Sequence, residues 1–100
     1  MIVEIPVDAI PWQEFSIVLN DYKCLISLRQ VAENIYCDLT VDDIEICKGA
    51  ICEDHSAINQ YPSRYFDGVL YFVDTKGKEN PQYQGLGDRW ILLYEYEDEQ

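Results

Sequence analysis

The chain has 100 residues, enough for one compact domain, since two halves near 50 residues each would struggle to bury a core without a disulfide or metal. Hydrophobic residues make up 48%, which excludes a disordered tail, and nineteen Asp and Glu against seven Lys and Arg give a net charge of −12. That balance argues against binding phosphate backbones or an anionic membrane surface through basic residues. No apolar run approaches the roughly 20 residues of a spanning helix.

Short apolar runs alternate with turn residues along the chain, the pattern of a small all-β domain. Ile2 to Val7 reads as an edge strand or extended arm, because Pro6 and Pro11 lack the N–H a ladder needs. Glu14 to Leu19 and Tyr22 to Arg29 alternate with period two on either side of Asn20-Asp21, which predicts a β-hairpin. Ile35 to Val41 and Ile44 to Lys48 flank a second such turn, Asp42-Asp43, and Ala50 to Cys52 is expected as a short further strand after a bend at Gly49. Glu53 to Phe66 has no clean period and reads as a long loop with one helical turn near Ser56 to Asn59. Gly68 to Asp74 is apolar on both faces, as for a strand covered on both sides. Thr75 to Gly87 is a polar loop, and Arg89 to Tyr96 is the last strand. The expected fold is all-β: a small sandwich or barrel of seven or eight mainly antiparallel strands. It forms a single domain over residues 1–100, with an N-terminal arm over about 1–12 and an acidic tail over about 95–100.

The start, Met1-Ile2-Val3-Glu4-Ile5-Pro6, lacks the basic and apolar regions of a signal peptide, so the expectation is a protein that stays in the cytoplasm where it is made. Cys24, Cys37, Cys47 and Cys52 then read as free thiols that pack as small apolar groups. A disulfide pairing and a metal site are the alternatives. Only Cys47 and Cys52 have ligand-like spacing, and no second close pair accompanies them. His55 follows Cys52 by three residues, but no third group is placed to orient the imidazole, so the expectation is a solvated histidine beside Glu53 and Asp54. Gly85-Leu86-Gly87 precedes a strand rather than a helix and fails as a dinucleotide fingerprint. No catalytic residue, cofactor or metal is expected. Eight tyrosines are many for this length, and tyrosine suits interfaces because its ring packs while its hydroxyl stays wet. The candidate interaction residues are Trp12, Tyr61, Tyr65, Phe66 and Tyr83, large side chains in loops or arms.

The order of features is the Ile-Pro start, Gln13-Glu14-Phe15-Ser16-Ile17-Val18-Leu19, the hairpin, Ile35-Tyr36-Cys37-Asp38-Leu39, Gly49, Gly68-Val69-Leu70-Tyr71-Phe72-Val73-Asp74, Pro81, Leu86-Gly87 and Arg89-Trp90-Ile91-Leu92-Leu93-Tyr94. Over nearly the whole chain this resembles the small baseplate plug, or ripcord, proteins of contractile-tailed bacteriophages. It departs from them in having Ala50-Ile51 where a Gly-x-Pro step is common, Ile35-Tyr36 where a tryptophan is common, and a more polar 53–66 loop. The resemblance implies a structural virion component made in the host bacterial cytoplasm. It would sit at the distal end of the tail tube, hold the closed pre-contraction hub, and contact hub, tube and spike proteins as a homo-oligomer, without nucleic-acid binding or membrane insertion. An acidic surface facing the tube lumen would repel DNA phosphates. The competing expectation is an acidic phage-encoded inhibitor that mimics nucleic-acid charge.

Overall fold

The computed structural model describes residues 1–60 and 63–97. Its strands are β1 (Ile2–Ile5), β2 (Trp12–Leu19), β3 (Tyr22–Val31), β4 (Asn34–Val41), β5 (Ile44–Cys52), β6 (Val69–Asp74) and β7 (Trp90–Glu95). They form two antiparallel sheets, ordered β2-β3-β4-β5 and β1-β7-β6. The fold is a small all-β sandwich, as expected from the alternation of short apolar runs and turns.

The four-stranded sheet is a meander built by local chemistry. Asn20 and Asp21 adopt φ of 50° and 67°, and Asp42 and Asp43 adopt 49° and 68°. Two successive positive φ values make a turn whose twist matches the flanking strands, and Asn and Asp reach that region at little cost. The third turn, Ala32-Glu33, has no such residues, yet Ala32 sits at φ 53°. It is joined by β3 and β4 running on to Val31 and Asn34, further than the periodic segments indicate.

The second sheet rests on distant pairing. β1 is an edge strand in register with β7, from Ile2 opposite Glu95 to Ile5 opposite Leu92. The amino group of Met1 donates to the Tyr96 carbonyl at 2.8 Å, and Tyr96 N–H donates back to Met1 O at 3.0 Å. One core joins the two sheets. Ile5, Leu70, Phe72, Leu92 and Tyr94 face Leu19, Ile26, Leu28, Ile35, Leu39 and Val41. Each fully buried Leu, Ile or Phe contributes about 1.5–3 kcal/mol.

Four local expectations change. Ala50 to Cys52 is not a separate strand: β5 runs unbroken through irregular register opposite Cys37 to Thr40, with Gly49 at φ 65°. No helical turn forms at Ser56 to Asn59. Residues 54–58 run beside β6 instead, with His55 N–H on Phe72 O at 2.8 Å and Ile58 N–H on Leu70 O at 2.7 Å. Only one face of β6, through Leu70, Phe72 and Asp74, is fully buried, while Val69, Tyr71 and Val73 are half-buried. The polar loop before β7 contains a one-turn 3-10 helix, Tyr83–Gly85.

Side chains substitute for backbone where the chain leaves the sheets. Asn59 donates to Gly68 O at 3.0 Å and accepts Leu70 N–H at 2.9 Å, so one amide continues the ladder at the β6 edge. Gln30 donates to Gln82 Oε1 and accepts Tyr83 N–H, while Gln82 donates to Glu33 O. These bonds fasten the 3-10 segment to the end of the four-stranded sheet. All four cysteines are free; Cys24, Cys37 and Cys52 are buried and Cys47 is half-buried.

Candidate interaction surface

Trp12 opens β2 and is 60% exposed, opposite Arg29. Tyr65 is 43% exposed, with its ring under the Arg64 guanidinium at 5.0 Å and its hydroxyl accepting from Arg64 Nη2 at 2.8 Å. Tyr83 is half-buried at the start of the 3-10 helix. Phe66 is only 3% exposed. Its ring lies 5.1 Å from that of Tyr22, edge-on, and 5.3 Å from that of Tyr94, stacked. In the isolated chain Phe66 is therefore part of the core, because the 63–67 turn folds back onto β7, where Tyr94 donates its hydroxyl hydrogen to Asp67 O. Tyr61 lies outside the described residues.

Exposed apolar residues also lie within strands, outside the loops and arms. Val18 is 66% exposed and Leu25 39% exposed, on the outer face of β2 and β3. The signal was present, because each interrupts the polar side of an alternating strand: Val18 beside Glu14 and Ser16, and Leu25 between Lys23 and Ser27. A groove of about 490 Å³ runs over this face, lined by Val18, Lys23, Leu25, Thr40, Asp42 and Asp43 among others.

Two carboxylates around this face, Asp42 and Asp38, are held in place. Asp42 Oδ1 accepts Lys23 N–H at 3.0 Å, tying the two turn-bearing ends of the sheet together. Asp38 accepts Arg29 Nη1 at 3.1 Å and Gly49 N–H at 2.6 Å. Partial burial pushes the Asp38 pKa up, but these donors outweigh it and leave the carboxyl below its ordinary range. Asp43 and Glu14 are exposed, and neither has a salt-bridge partner among the described residues. No group of three or more His, Cys, Asp or Glu among the described residues is placed to hold a metal ion.

Fold and surface define a small acidic β-sandwich that offers exposed aliphatic and aromatic side chains on one sheet. The chain belongs to the cyanophage baseplate Pam3 plug gp18 family, whose model matches residues 2–97. It is a phage baseplate plug protein, a structural component of the virion tail that associates with other baseplate components. The likeness to contractile-tail plug proteins seen in the order of strands and turns is thus met across nearly the full length. Comparison with curated proteins finds no match.

Proposed function

We propose that the chain closes the distal end of the tail tube and stabilises the baseplate hub before contraction, acting without catalysis and as several copies in one particle. The observation that carries this reading is the family match over residues 2–97. The surface agrees with it: Trp12, Val18, Leu25 and Tyr65 offer contacts to hub, tube and spike neighbours, while the −12 charge leaves the remaining surface repellent to DNA passing through the tube. The family lends no support to the acidic-inhibitor alternative.

The test is quantitative mass spectrometry of purified tail particles before and after triggered contraction. The expected result is a small fixed copy number that falls on contraction. A plug that closes the tube end must clear it for DNA to pass, so copies retained unchanged after contraction would refute that closure, and absence from particles would refute the plug role. Trp12→Ala and Tyr65→Ala alter exposed side chains, so each variant should fold and enter particles at reduced copy number. Normal incorporation of both would remove these residues from the contact surface.

A further inference from the structure

Each open sheet edge is a row of unpaired N–H and C=O groups, and proteins usually blunt such edges. Here three of the four outer strands are blunted. Residues 54–58 run along β6. β5 is irregular in register opposite Cys37 to Thr40, and β1 is four residues long and stopped by Pro6. The remaining edge strand, β2, is eight residues long and pairs with β3 without a bulge.

The register states which groups that edge presents. The two-residue turn closes on Leu19 opposite Tyr22, a hydrogen-bonded pair, and such pairs recur at Ile17, Phe15 and Gln13. Gln30 N–H reaches Pro11 O at 2.8 Å in the same phase. The N–H and C=O groups of Trp12, Glu14, Ser16 and Val18 therefore point away from β3, and no backbone bond engages them among the described residues. Side chains on both sides of this edge are apolar and incompletely covered. Trp12 and Val18 lie on the outer face, and half-buried Phe15 and Ile17 lie on the inner one. The Val18 end runs into the β2–β3 turn, which carries the exposed Asp21.

We propose that the free edge of β2 is a strand-addition site that takes an extended segment of another protein, apolar at alternate positions and bearing Lys or Arg at the end beside Val18. Main-chain bonds would supply affinity, alternate side chains would cover Phe15 and Ile17, and the basic end would meet Asp21 within the field of a chain carrying −12. Charge selects this occupant over a second copy of the chain, which would bring another −12 to the contact. The site is separate from the plug reading, because an assay on the purified protein tests the edge whether or not the chain enters a particle.

The probe is an acetylated, amidated peptide of alternating Val and Thr with Lys at both ends, compared with the same peptide ending in Glu. Amide NMR should show shifts and slowed hydrogen exchange at Trp12, Glu14, Ser16 and Val18 with the Lys peptide, and much weaker effects with the Glu peptide. Ser16→Pro removes an outward N–H that β3 does not use, and Val18→Lys places a charge on the edge. Each should weaken binding by about tenfold or more. Asp21→Asn, which suits the positive φ of 67°, should selectively weaken the Lys peptide. Lack of binding at millimolar peptide, equal binding of the Glu peptide, or indifference to both edge variants would overturn the proposal. Concentration-dependent protection of the same four amides without peptide would overturn it in favour of a second copy.

Discussion

Asp74 at the end of β6 and Arg89 just before β7 close their hairpin with two parallel bonds, Nε to Oδ1 at 2.9 Å and Nη2 to Oδ2 at 2.8 Å. Asp74 also accepts the N–H groups of Lys76 and Glu79, so a buried carboxylate organises the whole start of the connecting loop. Arg89 extends the cluster to Glu79 Oε2 at 2.9 Å and lies 4.4 Å over the Trp90 ring.

The Arg89 bonds hold the Asp74 carboxyl well below the usual range, outweighing burial. An unfolded Asp titrates near 3.9, so the stabilisation is fully present above about pH 4 and is lost as pH falls toward the lower folded value. Asp74→Asn should lower Tm by several degrees at neutral pH, with the gap to the native protein narrowing below about pH 4. Thermal melts at a series of pH values test this, and a gap constant into acid would contradict it.

Ala32 occupies φ 53° in an exposed turn without a glycine's freedom. A left-handed residue with a Cβ costs about 1–2 kcal/mol, partly offset in a glycine variant by the greater entropy of the unfolded chain. Ala32→Gly should therefore stabilise the protein by about 0.5–1 kcal/mol in urea denaturation. A destabilised variant would show that the alanine side chain contributes more than its backbone strain removes.

Gly68 has the opposite requirement. Its φ is 104°, and an added Cβ would meet the Tyr94 ring at 2.6 Å and Glu95 O at 2.7 Å. Tyr94 is fully buried and stacks on Phe66 and Tyr96, so it has little room to move. Gly68→Ala should cost about 2–4 kcal/mol, measurable as a lower urea midpoint and a disturbed near-UV tyrosine signal. A cost below about 0.5 kcal/mol would mean that this packing is looser than the distances indicate.

The thiols should be inert while the protein is folded. Burial pushes the Cys24 thiol up to about 11 and Cys47 up to about 12. The neighbouring Cys52 thiol, aided by burial, raises Cys37 well above its ordinary value. Since the thiolate is the nucleophile, a thiol-reactive chromogenic disulfide at pH 8 should label the native protein very slowly and all four cysteines after unfolding. Rapid native labelling of Cys47, the half-buried one, would contradict the shift assigned to it.

Much of the architecture is readable from local chemistry, because a hairpin needs only period-two alternation and turn residues that tolerate positive φ. Asn20-Asp21 and Asp42-Asp43 supply these, and the β2–β3 and β4–β5 turns follow. Ala32-Glu33 carries no comparable signal, so the ends of β3 and β4 are legible only once their pairing is known. Val18 and Leu25 are legible in hindsight as apolar residues on polar faces, and Trp12 stands out directly. Phe66 misleads: in sequence it shares a polar loop with Tyr65, and only the return of that loop onto Tyr22 and Tyr94 separates a buried ring from an exposed one.

The sequence by itself determined the all-β class, the acidic character, the turns at Asn20-Asp21 and Asp42-Asp43 with their flanking strands, and the likeness to phage plug proteins, because these rest on composition, side-chain alternation and turn residues close together in the chain. The tertiary structure decided that β1 joins β7, that Asp74 meets Arg89, that residues 54–58 cover β6, and that β2 is the long regular edge left open. Those outcomes depend on segments up to 95 positions apart competing for the same core and the same backbone hydrogen bonds. Local preference constrains that competition only weakly, since many distant pairings satisfy the same alternation.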